Sequence, residues 1–366
     1  MNQDLPCLRD AIADVDRALL ELLRRRMDLA AEVGRIKAAA GLPIVVRDVE
    51  DQVLRRARHQ AETCGISEEV LEAVFQAILR GSVERQHRVG VELREQRGER
   101  LLILGGAGGM GAWFRGFFEV AGHHVDLVDP AFAELPAAPG RHVRLADLPD
   151  LDAYAAVFVS VPLDRMPEVL AEVIELAPRG LVVEIASIKS HLAEALGVAR
   201  ERGIRTLAIH PMFGPGKSYY QPLTFVLAAQ DEPAAEQAAL EPLLTHPYTR
   251  LVTVPFAHHD RLMGWLLGLA HLNGMLFGAA IARSGISAEE LRACASTTFT
   301  RQASTALSIL AEDPGLYLDI QRLNPHRGNV YRAARESLGR LEELVETGDR
   351  EAFRQLLTAA RDALAP

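Results

Sequence analysis

Apolar residues recur at Leu8, Ile12, Val15, Leu19, Leu22, Leu29, Val33 and Ile36, in steps of three and four that an α-helix turns to one side. The position missing from this series is occupied by Arg26. The spacing predicts a helix over residues 7–39, roughly 48 Å long at 1.5 Å per residue. Such a stripe cannot be buried against itself and needs partner helices, another copy of the chain among them. Two shorter helices are predicted over 48–63 and 68–88, divided by Cys64-Gly65-Ile66-Ser67 with Ser67 as N-cap. Residues 89–99 are polar and carry no apolar rhythm, as a linker or the end of the third helix would.

From residue 100 the rhythm changes. Short apolar runs at 101–104, 124–128, 155–161, 180–185 and 206–209 end in polar or turn-forming residues and alternate with helical stretches. Alternation of this kind is what a parallel sheet wound with helices on both faces produces. After Val254-Pro255 the chain turns helical again, with helices expected over 260–283, 288–311, 314–338 and 347–364. Glycines at 264 and 268, and at 274 and 278, would let another helix approach closely. The organisation predicted is an all-α domain over 1–90, a linker over 91–99, an α/β domain over 100–254 and an all-α domain over 255–366.

Composition narrows the partners. With a net charge of −9 over 366 residues, no field of positive sign covers the chain, which excludes an ordinary nucleic-acid binder. Cys7, Cys64 and Cys294 lie far apart and form no CxxC pair, and no metal is expected. The opening residues MNQDLPCLRD show no basic stretch followed by an apolar one, so no signal peptide is read and a reducing cytoplasm is the expected location. Residues 263–281 are apolar but carry His271 and Asn273, which favours a helix buried at a domain or subunit interface over a membrane span.

Two motifs carry chemistry. The run Leu101-Leu102-Ile103-Leu104 enters GGAGGMG, in which Gly106, Gly108 and Gly111 satisfy GxGxxG ahead of a helix. Glycines at these places give a tight turn, close approach of a pyrophosphate and close helix packing, and the helix N-terminus supplies donors to the phosphates. Gly109 and Met110 in the loop, and Ser160 and Pro162 in the SVP turn, belong to the same expected cofactor site. Asp129 ends the second strand, where an acid binds ribose hydroxyls and repels a 2′-phosphate, so NAD is favoured over NADP. In HPMFGP, His210 follows a buried run and should stand at a strand's carboxyl end, where open α/β sheets bind ligands. Ser160, Ser187, Lys189 and His210 are then expected along one sheet edge, with an imidazole as base beside the dinucleotide. On the residues alone, a β-hydroxyacid dehydrogenase and a regulatory amino-acid binder whose first helices only dimerise stay open.

The stretch LRDAIADVDRALLELLRRRMDLAAEVGRIK, with SVERQ at 82–86, resembles the all-helical chorismate mutases, whose intertwined dimers hold a dicarboxylate among cations. That resemblance implies one site lined by Arg26, Lys37, Glu50, Ser82 and Gln86, with Arg9 reaching in from the other subunit. It departs from the family at Val46, where an Asp is usual, and at Val49, where an Arg is usual. GGAGGMG, VSVP, ASIK and HPMFGP in this order resemble the prephenate dehydrogenases. The whole chain thus resembles the bifunctional chorismate mutase–prephenate dehydrogenases of tyrosine biosynthesis. The resemblance implies chorismate and prephenate as substrates, NAD as cofactor and a homodimer joined through the last domain; arogenate in place of prephenate, and tyrosine as an effector, stay open. By the same resemblance His210 is the base, Ser187 orients it, Lys189 and Arg301 hold the substrate dianion, and His259 contacts substrate. Arg301 takes this place with one deletion; an ungapped count from Asp313-Pro314 falls on Thr300.

Overall fold

The computed structural model describes residues 5–40, 42, 47–93, 98–244, 246 and 248–365. The apolar stripe forms α1 (Leu5–Ala40), followed by α2 (Arg47–Cys64) and α3 (Glu68–Leu93). Ser67 Oγ accepts from Val70 N at 3.3 Å, capping α3 as its position predicts. α1 lies so close to α3 that a Cβ at Gly34 would come within 2.7 Å of the Gln86 backbone. Within α1 only Ala30, Ala31 and Gly34 are buried, and Leu8, Ile12, Val15, Leu19 and Leu22 are exposed. Among the described residues of one chain the stripe therefore has no cover.

The α/β domain contains β1 (Arg100–Leu104), α4 (Gly109–Ala121), β2 (His124–Val128), β3 (Arg141–His142), β4 (Ala156–Val159), α5 (Met166–Glu175), β5 (Leu181–Glu184), α6 (Ala193–Glu201), β6 (Thr206–Pro211), β7 (Leu223–Ala229), α7 (Pro233–Leu244) and β8 (Thr249–Pro255). The strands form one sheet in the order β3-β2-β1-β4-β5-β6-β7-β8, parallel up to β6, with β7 antiparallel to β6 and parallel to β8. Alternate residues of the strands face opposite cores. Leu102, Val157 and Val182 pack with Leu170 and Leu196 on one side, and Ile103 and Phe158 pack with Trp113, Phe114 and Phe117 of α4 on the other. Burial on both faces explains why these strands read as unbroken apolar runs.

The chain then forms α8 (Phe256–Met263), a π-helical turn (Gly264–Leu269), α9 (Ala270–Arg283), α10 (Ala288–Ala293), α11 (Thr297–Leu310), α12 (Pro314–Leu323), α13 (Arg327–Thr347) and α14 (Arg350–Leu364). The helix expected over 288–311 is broken ahead of Ser296, whose hydroxyl accepts from Phe299 N and starts α11. The one expected over 314–338 is broken at Asn324, whose amide donates 2.8 Å to the Asp260 carbonyl and ties the break to α8. Close approach at two of the glycines occurs within the chain: a Cβ at Gly274 would lie 2.5 Å from Ile309 Cδ1, and one at Gly278 lies 2.6 Å from Leu310 Cδ1. The apolar segment around residues 263–281 is not buried in a single chain, since Trp265, Leu266 and Leu276 are exposed. By length and composition the helix Phe256–Arg283 could cross a membrane; a subunit interface would cover the same side chains.

Candidate active sites

The glycine loop connects β1 to α4. Gly105 has φ +81°, and a Cβ there would lie 2.1 Å from the Ser160 carbonyl oxygen, so the sharp turn belongs to a glycine just ahead of the predicted pattern. A Cβ at Gly111 would strike the Gly105 carbonyl at 2.1 Å, and one at Gly106 would lie 2.7 Å from Leu127 Cβ. Gly108 caps α4 without a side chain, and Gly108, Gly109 and Met110 line a pocket of about 500 Å³. Asp129 closes β2 and ties the loop, accepting from Ala107 N at 3.0 Å through Oδ2 and from Ala131 N at 2.9 Å through Oδ1. Backbone donors at a helix start, bare glycines and an acid at the next strand's end suit the pyrophosphate and adenosine ribose of a dinucleotide.

The same pocket is bordered by Ser160 and Pro162 after β4, Ser187 after β5 and His210 in β6. His210 is almost wholly buried, and burial first, then the neighbouring His259 and Lys189, push its pKa well below the ordinary histidine value. Its Nδ1 lies 3.2 Å from His259 Nε2, and His259 Nδ1 lies 2.7 Å from Asp260 Oδ1. Asp260 also accepts from Lys189 N at 2.9 Å and from Ser190 N at 2.7 Å. Burial opposes its ionised form, but these hydrogen bonds outweigh it and hold the carboxyl at about 2.

Three expectations are corrected by this arrangement. Lys189 does not reach the pocket: it is fully buried, and its Nζ donates at 2.6 Å to Glu184 Oε1 and at 2.6 Å to the Ile209 carbonyl, bracing the strand that carries His210. Burial pushes the Glu184 carboxyl up and the Lys189 amine down, while their contact opposes both. His259 is fully buried behind His210 and absent from the pocket wall, so it touches the histidine where substrate had been expected. Ser187 does line the pocket, but the ring partner of His210 is His259. Arg301 lies exposed on α11, outside the pocket wall of its own chain. Among the described lining residues there is no Lys or Arg, while Asp164, Glu312, Asp313 and Asp319 all belong to the lining.

A second pocket, of about 300 Å³, lies between α1, α2 and α3, and brings together Arg26, Lys37, Glu50, Ser82 and Gln86. Arg26 donates to the Ile78 carbonyl at 3.3 Å and to the Ser82 hydroxyl, and burial lowers its pKa. Gln86 Oε1 is buried with no protein partner. Val49 borders the pocket, whereas Val46 lies outside the described residues. Arg9 is exposed on α1 and is not part of this wall. Tyr248, ahead of β8, faces Glu50 from the α/β domain; burial first, then the Glu50 charge, pushes its phenol up to about 12. Sequence reasoning missed Tyr248, Glu184 and the role of Asp260. Only Asp260 left a signal, as the last residue of His258-His259-Asp260.

Comparison with known proteins follows these divisions. Residues 8–87 match chorismate mutase type II, residues 140–238 the nucleotide-binding domain of prephenate dehydrogenase, and residues 255–359 its dimerization domain. The T-protein of Enterobacter agglomerans is 29% identical over 353 residues, covering 96% of this chain and 91% of its own length. That of Haemophilus influenzae is 25% identical, covering 97% and 91%. The fold is shared with prephenate dehydrogenase from Aquifex aeolicus, solved with hydroxyphenyl propionate and NAD+, at TM-score 0.59, 17% identity, 72% of this chain and 96% of that one. A mutase segment and both dehydrogenase segments stand here in one chain, aligned with T-proteins over nine-tenths of their length. In the order of its three matched segments and along nearly its whole length, the chain is similar to the bifunctional T-proteins, which join chorismate mutase to prephenate dehydrogenase.

Proposed function

We propose that the chain rearranges chorismate to prephenate in its first domain and oxidatively decarboxylates prephenate to 4-hydroxyphenylpyruvate with NAD in the other two. The observation that carries the dehydrogenase reading is a buried, neutral His210 on the wall of the pocket that the glycine loop opens into. Prephenate bears a ring hydroxyl opposite a ring carboxylate, and aromatisation drives its reaction. When bound, NAD supplies the acceptor for the hydride that leaves the hydroxyl-bearing carbon. His210 takes the hydroxyl proton as that hydride departs, and the C–C bond to the carboxylate breaks to release CO2. The proton then returns to the phenolic oxygen, so none is gained or lost overall. Ser187 sits within the same wall to orient substrate and cofactor.

The cation for the ring carboxylate has to come from outside this wall, because the lining residues of the single chain are acidic or neutral. Arg301 of a second copy is the residue we assign to it. The exposed apolar faces of α1 and α9 supply surfaces for a homodimer, and tyrosine, as product-like phenol, is the effector proposed. In the first domain Arg26 and Lys37 hold the chorismate carboxylates, Gln86 meets the ether oxygen, and Arg9 of the second copy completes the clamp. No proton transfer is needed there: cations and a near-attack conformer suffice.

Incubating the protein with chorismate, with and without NAD, separates the two activities. Chorismate loss without NAD is expected from the first, and NADH formation on adding NAD from the second. If prephenate with NAD yields no NADH, the dehydrogenase reading is wrong.

A further inference from the structure

Asp260 and His259 lie behind His210, sealed from the pocket, yet they are joined to it by an unbroken chain of ring nitrogens. The direction of each hydrogen bond in this chain can be derived from its far end. The Asp260 carboxylate is acceptor-only and already takes backbone donors from Lys189 on both oxygens, at 2.9 and 3.1 Å, and from Ser190 at 2.7 Å. At 2.7 Å from Oδ1, His259 Nδ1 must carry a proton, since a lone pair there would face a negative oxygen. A neutral His259 then has a bare Nε2, which can only accept. His210 Nδ1, 3.2 Å away, must be the donor, and the lone pair of His210 is left on Nε2, the nitrogen with no partner among the described residues.

We infer that Asp260, acting through His259, fixes the tautomer of His210 so that the ring presents a bare Nε2 to the pocket. Asp260 is thus a positioning residue, two side chains removed from the reacting hydroxyl. Its own placement is set by the turn after β5 through Lys189 N and Ser190 N, and by Asn324, which grips its backbone carbonyl at 2.8 Å. When His210 takes a proton, the same chain presents an acceptor to the imidazolium and a carboxylate beyond it.

The value of this inference for turnover rests on His210 being the base, but the tautomer can be read without any assay. In the full-length protein with ¹⁵N-labelled histidine, ring-nitrogen NMR should show both His210 and His259 protonated on Nδ1. Asp260→Asn should reverse both. The side-chain carbonyl of Asn must turn to the Ser190 amide, its NH2 then donates to His259 Nδ1, and His210 becomes protonated on Nε2. Dehydrogenase kcat should fall about 10²-fold or more, with the dissociation constant for NAD and chorismate mutase activity unchanged. His259→Gln keeps a carbonyl to accept from His210 Nδ1 and an amide to donate to Asp260, so it should stay within about tenfold of normal kcat, whereas His259→Leu should lose about 10²-fold. Wild-type His210 found protonated on Nε2, or His259→Gln as slow as His259→Leu, would overturn the inference. Should His210→Asn keep normal turnover while the tautomers are as stated, the base assignment fails and the relay stands.

Discussion

The two pockets of this chain differ in what they leave exposed. Around Arg26 and Lys37 the wall holds two cations beside the carboxylate of Glu50, and three helices suffice to form it. Around His210 the described wall residues include no Lys or Arg, and its key side chain is sealed in a network built from β5, β6, α8 and the end of α12. The chemistry explains the contrast. A unimolecular rearrangement asks only for charges that grip carboxylates, which surface helices can supply. A base must have one protonation state and one bare nitrogen, and this requires burial and a fixed partner for the other nitrogen.

The largest effect that tests this contrast is His210→Asn, which should lower dehydrogenase turnover by roughly 10² to 10⁴-fold while NAD affinity and mutase activity hold. Steady-state NADH formation beside a chorismate-loss assay measures both; near-normal turnover would mean that another group is the base. Next comes Lys189→Met, which strands Glu184 in the core. It should cost about 3–5 kcal/mol in denaturant unfolding, the usual penalty for breaking a buried pair. A lysine that gripped substrate would instead raise KM and leave stability alone.

Acid should separate the pockets again. Burial lowers the pKa of His246 from 6.5 to about 4, so between these values the unfolded chain binds the extra proton and stability falls as pH drops, by about 3 kcal/mol in all. His210 and His259 shift in the same direction and add to the loss. Above the onset of unfolding, the dehydrogenase should keep its activity to below the ordinary histidine range, and the mutase should show no histidine limb. Chemical-denaturant titrations from pH 7 to pH 4 and paired rate profiles check this; a flat stability curve would contradict the burial of these rings. The smallest effect expected is at Arg26→Lys, which keeps charge but loses the fork that reaches Ile78 and Ser82. Mutase kcat/KM should fall by roughly 10-fold, about 1.4 kcal/mol, with no change in NADH formation.

What could be read in the sequence follows the same divide. Period and turn chemistry revealed the three-helix unit, the wound sheet and the helical end, because each is a local pattern: the α1 stripe, the buried β runs, the Ser67 cap. The five residues gathered around Arg26 were named by their resemblance to the mutases; helix period by itself puts only Arg26 with Lys37, and Ser82 with Gln86, on common faces. The surroundings of His210 could not be placed, since Glu184, Lys189, His259 and Asp260 meet only after a sheet and a helix start have been brought together. A lysine at a strand end reads as a ligand for an anion, and only its 2.6 Å contacts with Glu184 and Ile209 show that it faces inward. Breaks at Cys294-Ser296 and Asn324 were hidden for a related reason: apolar periodicity continues across them, and the caps that stop each helix are single polar residues.

Tyr248 gives the interface between the first two domains a chemical content. A phenol ahead of β8 meets the carboxylate of Glu50, so one residue of the pocket wall has a partner nearly two hundred positions downstream. A gene cut between the domains would yield three helices whose Glu50 had traded a tyrosine for bulk water. Fusion has therefore given one carboxylate of the smaller catalyst a partner from its neighbour, and a cut along the seam that their sequences suggest would take that partner away.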